Sequence, residues 1–97
     1  MNKYVPEIER LSKLAQKLID QLQSSDSNNE TFEQSGILNG QEIVIDYIKH
    51  GELGLSLEHL LYMIHESCIT FPLNELGKLH SLANELGVRN NYVDKNA

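Results

Sequence analysis

Apolar residues in this chain recur at steps of three and four, and that spacing confines it to helices. After Pro6 they fall at Ile8, Leu11, Leu14, Ala15, Leu18, Ile19 and Leu22, with Glu9, Arg10, Lys13, Gln16, Lys17 and Asp20 outside the stripe. Proline suits a first helical turn, where its missing N–H costs nothing, so a helix is expected over Pro6–Leu22. One amphipathic helix cannot cover its own stripe, and others must pack on it. Leu57, Leu60, Leu61 and Ile64 predict a helix over Leu57–Ser67, with Ser56 as its N-cap. Leu73, Leu76, Leu79, Leu82, Ala83 and Leu86 predict another beginning at Pro72, closed by Gly87 and then Val88 in the pattern of a Schellman cap. Gly77 inside that helix costs about 1 kcal/mol relative to Ala, and its missing side chain is expected to admit a close neighbour.

The stretch between these elements is less one-sided. Ile43, Val44 and Ile45 are three consecutive β-branched residues and could argue for a strand. No second strand-like segment exists to pair with it, and an isolated strand is not stable. A helix over Gly40–Lys49 is therefore expected, stopped by His50-Gly51, with Gly51–Gly54 as a tight turn whose two glycines can take positive φ. Residues 23–35 are almost wholly polar, with Phe32 as their one large apolar side chain. They read as a surface linker with a short helical turn near Glu30–Gln34. The Asn-rich residues 88–97 read as a frayed tail. The expected architecture is all-α, a small bundle of about four amphipathic helices in a single domain spanning the 97 residues. A chain of this length buries roughly 60–65% of its unfolded surface and has no room for a second core.

Charge narrows the range of partners. The net charge is −6, but Met1–Ile19 carries +2, Asp20–Glu75 carries −9 with Lys49 as its one base, and Leu76–Ala97 carries +1. Nucleic-acid binding needs a basic footprint, and the middle section would repel phosphates. A protein with a basic face is the natural complement, since opposite potentials speed encounter and reject wrong partners. A merely solvated acidic surface is the alternative. No apolar run approaches the ~20 residues that cross a bilayer, so no membrane partner is expected. The opening residues lack the apolar core of a signal peptide, so a cytosolic location is expected. Cys68 is the single cysteine, which excludes an internal disulfide, and its neighbours Ile69 and Phe71 suggest a buried, inert thiol.

Signals for catalysis are sparse. His50, His59, His65 and His80 form no H-E-x-x-H or related pattern, and no Glu is followed by His three residues on. There is no nucleophile elbow, phosphate loop or Cys–His pair. No enzyme, metal or cofactor is expected. Gly51 and Gly54 precede a helix N-terminus that could hold an anion, but Glu52 lies in the same turn and makes a second negative charge unwelcome. The third helix is more suggestive. Glu58, Tyr62 and Glu66 fall at i, i+4 and i+8 on the face opposite the leucine stripe, flanked by His59 and His65. An aromatic among charges is how interface anchors are commonly composed. On the second helix, Glu42, Asp46 and Lys49 share a polar face with Tyr47 and His50 beside it. Asp46, Tyr47, Glu52, Glu58, His59, Tyr62, His65 and Glu66 are therefore the candidate partner-binding residues.

Over Asp46–Gly87 the text DYIKHGELGLSLEHLLYMIHE, followed by ITFPLNELGKLHSLANELG, resembles the MafI-type immunity proteins of bacterial polymorphic toxin systems. It is also similar to the CdiI immunity proteins of contact-dependent growth inhibition. The run His50-Gly51-Glu52-x-Gly54-Leu55-x-Leu57-Glu58 carries most of the resemblance, which covers about half the chain. The resemblance implies a non-enzymatic antidote that covers the active site or substrate surface of a cognate toxin domain, often a ribonuclease with a basic active-site surface. Within that signature Glu52 and Glu58 match, while Gly51, Gly54 and Leu57 are expected to shape the fold. The competing reading is a small helical adaptor or regulatory subunit that binds a basic cellular protein.

Overall fold

The computed structural model describes residues 3–25, 36–67 and 69–88. Among them are four helices and no strand: α1 (Val5–Ser25), α2 (Gly40–Lys49), α3 (Leu53–Glu66) and α4 (Leu73–Leu86). The all-α bundle expected from the apolar spacing is what forms. The core is one cluster. Ile8, Leu11, Ala15 and Ile19 enter it from α1, Val44 from α2, and Leu79, Leu82 and Ala83 from α4. α3 contributes most, with Leu57, Leu60, Leu61, Met63 and Ile64 all buried. It is also the helix that packs against all three others. The turns add Ile37, Phe71 and Val88.

Helix ends follow local chemistry in most places. α2 has the expected bounds, and Gly51 at φ +74° ends it. The Gly51 N–H donates to the Ile48 carbonyl at 3.0 Å and the Glu52 N–H to the Tyr47 carbonyl at 2.9 Å, the paired bonds of a Schellman motif. α4 closes the same way. Gly87 sits at φ +72°, its N–H donates to Asn84, and the Val88 N–H donates to the Ala83 carbonyl at 2.8 Å. A side chain at either glycine would force a left-handed conformation that L-residues resist. Pro72 is the residue just ahead of α4, and its carbonyl accepts from the Leu76 N–H at 2.9 Å.

Several expectations need correction. α3 begins at Leu53 rather than Leu57, because the Schellman turn completes the α2–α3 connection by Glu52 and the Ser56 N–H can bond the Glu52 carbonyl at 2.9 Å. Gly54 is therefore helical and has no positive φ, and Ser56 is no cap. Its buried Oγ donates back to the Leu53 carbonyl at 2.7 Å. α1 runs three residues past Leu22, with the Ser24 and Ser25 hydroxyls donating to the Asp20 and Gln21 carbonyls. The linker expected over 23–35 thus starts later; residues 26–35, with the turn near Glu30–Gln34, lie outside the described residues, as does Cys68. Val88 is buried rather than frayed, while 89–97 are outside the described residues. Gly77 has open space where its Cβ would be, so it admits no neighbour.

Two side-chain ties hold the helices in register. Gln16 of α1 reaches the uncapped start of α2: its Oε1 accepts from the Gln41 N–H at 2.9 Å and its Nε2 donates to the Leu38 carbonyl at 3.0 Å. A neighbouring helix thus supplies the cap that Asn39 does not. Arg10 of α1 forks onto Glu75 of α4 and also bonds Glu7, while Lys78 stands 3.3 Å from Glu75. At the start of α2, a Cβ on Gly40 would meet the Met63 Sδ at 2.6 Å, so glycine permits the close approach of α2 to α3.

Candidate functional site

α3 lies at the centre of the bundle, and this changes the expected binding face. At 100° per residue, the buried side chains Leu57, Leu60, Leu61, Met63 and Ile64 occupy nearly half the helix circumference. The row Glu58, Tyr62 and Glu66 does lie outside that arc, as spacing predicts, but each of the three is half-buried. Tyr62 packs its ring against the core. His59 is turned to an internal task. Its Nε2–H donates to the Gly36 carbonyl at 2.9 Å, and its ring meets Tyr62 with centroids 5.4 Å apart, so it pins the segment ahead of α2 onto α3. The bond requires a proton on Nε2. His59 is better described as a strut than as a surface contact. His65 and Glu66 stand half-buried at the far end of α3.

The remaining candidates are brought into two shallow grooves. The first lies on one flank of α2 and is lined by Glu42, Ile43, Asp46 and Tyr47. Asp46 and Tyr47 also frame the end of α2, where the His50 Nδ1–H donates to the Asp46 carbonyl at 2.8 Å and stands 3.7 Å from its carboxylate. The second groove joins the start of α3 to the end of α4. Glu52, Gly54, Leu55, Glu58, Leu86, Gly87 and Val88 line it, and Leu55 is 42% exposed. Among the described residues, each groove therefore combines two carboxylates with apolar surface and no base. The groove between α1 and α2 is different, holding Lys13 and Lys17 as well as Asp20.

The acids also differ in how far their charge is already answered. Hydrogen bonds from Arg10 hold the Glu75 carboxyl down at about 2 and lower Glu7, and they raise Arg10 itself. That network is satisfied within the chain. Among the described residues, neither the Glu52 nor the Glu58 carboxylate has an ion-pair or hydrogen-bond partner, although Glu58 is half-buried.

No protein-family model, curated protein or solved structure matches this chain. No three His, Cys, Asp or Glu among the described residues are grouped so as to hold a metal ion. No described helix is long and apolar enough to cross a membrane.

Sequence reasoning missed Leu55, Leu86 and Val88 as groove residues. Leu55 carried a readable signal, since it is an apolar side chain on the polar arc of α3 beside Glu58 and Tyr62. Leu86 and Val88 carried none, because they reach the groove only through the packing of α4 on α3.

Proposed function

We propose that this chain is an immunity protein: it binds a cognate toxin domain, an enzyme of ribonuclease type with a basic substrate surface, and covers that surface with its acidic α2–α3 side. The observation that carries this reading is the pair of grooves on consecutive helices, each offering two carboxylates beside aromatic or aliphatic surface. An enzyme shaped to hold polyanions presents cations around an accessible cleft, and such a cleft complements carboxylates fixed on a rigid bundle. Long-range attraction guides the encounter, and the apolar floors of the grooves supply contact that outlasts it. The resemblance of Asp46–Gly87 to MafI-type and CdiI-type immunity proteins supports the same reading, and with it action in the cytosol of the producing cell. No chemistry is asked of the chain itself.

The test is neutralisation. The neighbouring gene is expected to encode the toxin domain; that domain is mixed with the purified chain, and complex formation and toxin activity are followed together. A stable one-to-one complex with loss of toxin activity is the expected result, with an association rate that falls as salt is raised. A toxin that stays active, or a chain that is captured only by a basic housekeeping protein, refutes the proposal and favours the adaptor reading.

A further inference from the structure

We propose that α4 pairs antiparallel with the α4 of a second copy of this chain, across a twofold axis level with Leu79 and His80. Leu73 is the starting point. It is 84% exposed, the most exposed large apolar side chain among the described residues. At 100° per residue, Leu73, Asn74, Gly77, Lys78, Ser81 and Glu85 fall within one arc of about 140°, and every one of them is exposed. Within the described chain this arc is bare. Nothing stands within 4 Å of where a Gly77 Cβ would be, and the shallow groove along the edge that holds Lys78 and Glu85 is open.

Charge selects the occupant. A twofold axis sets a patch against itself, so the patch must complement its own reversed image. Along one edge of the arc the donors Asn74 and Lys78 stand in the first half of α4, and the Glu85 carboxylate stands in its last turn. Reversal sets Glu85 of the second copy level with Asn74 and within about one turn of Lys78, and the axis makes both contacts twice. Lys78 already stands 3.3 Å from Glu75, but its side chain is 54% exposed and its ammonium has donors to spare. The same reversal lays Gly77 against Ser81 and brings Leu73 onto the last turn of the second α4. A protein of one strong charge sign would match only half of this edge. Two chains of net charge −6 also repel least on this side, because Met1–Ile19 carries +2 and Leu76–Ala97 carries +1 against −9 between them. The groove along α4 shares no residue with the two acidic grooves, so each copy keeps the surface assigned to the toxin.

The test is the mass of the full chain in solution, followed by sedimentation equilibrium from about 10 μM to 1 mM, a range suited to a small interface. A rise from one chain towards two is expected. Leu73→Glu, at a side chain the fold does not bury, should keep its helical circular dichroism and weaken pairing by about tenfold or more. Glu85→Lys faces Asn74 and Lys78 with a like charge and should weaken pairing by about fivefold. Adding Asn74→Glu to Glu85→Lys should restore it, because the two positions meet only across the axis. A single-chain mass over the whole range overturns the inference, leaving this face to a different protein, to the chain's own residues 89–97 or to water. A dimer untouched by Leu73→Glu, or a loss at Glu85→Lys that Asn74→Glu does not restore, also overturns it. Neutralisation of the toxin is read by its own assay, so the two readings fall separately.

Discussion

The same substitution is expected to have opposite effects at two glycines, one inside α4 and one just past its end. Gly77 lies inside the helix, exposed, with nothing within 4 Å of where a Cβ would stand. Gly77→Ala removes backbone entropy from the unfolded chain and should stabilise the protein by about 0.5–1 kcal/mol. Gly87 holds φ +72° in the Schellman turn, and Gly87→Ala should destabilise it by about 1–2 kcal/mol. Chemical denaturation of both variants checks the pair, and a loss of stability at Gly77 would mean that something packs there after all. The contrast could not be drawn from the chain alone. A glycine after the last apolar position announces a cap, but a glycine inside a helix is silent about whether it makes room for a neighbour.

At the scale of elements, α3 bears the most weight. Leu61 is fully buried and surrounded by the core, so Leu61→Ala should cost about 2–5 kcal/mol through the cavity it leaves. α2 depends instead on a polar contact from outside itself. Its start has no side-chain cap of its own, and Gln16 supplies one from α1. Gln16→Ala should cost about 1 kcal/mol, and amide exchange should rise at Gln41 before it rises in α3. Unchanged protection at Gln41 would show that the cap is not needed. Most helix bounds were legible because apolar spacing, Pro72, Gly51 and Gly87 act within a few residues. The start of α3 was not: Ser56 has the composition of a cap, yet burial of Leu53 and Ser56 against the bundle draws the helix four residues further back.

At the scale of the whole molecule, α4 rests on α3 through its leucines and is tied to α1 by the Arg10–Glu75 fork. Glu75 is only 12% exposed, and its carboxyl is held at about 2 against an ordinary 4.5. A carboxyl whose folded value is depressed contributes stability above the ordinary value and loses it as the pH falls through the folded one. The tie should therefore be fully present above about 4.5 and fade towards about 2. Comparing thermal midpoints of the wild type and Glu75→Gln across that window checks this. The gap between them should close as the pH falls, and a gap that stays constant would assign the stability to something other than the ion pair. The same scale explains the candidate site. Glu52 and Glu58 were read from their places in the chain, but their common groove exists only because the end of α4 folds back beside the start of α3.

The amino-acid sequence by itself determined the class of fold, the four helices, the two glycine stops and the sign of the charge on the middle of the chain. Each of these follows from the spacing or composition of residues close together. Only the tertiary structure decided which residues of α3 stay exposed. That choice depends on which flanks of a central helix its neighbours cover, and no local pattern encodes how helices far apart in the chain come to rest against one another. It made His59 a strut, half-buried Tyr62, and left Glu52, Glu58 and Leu55 together at an open edge.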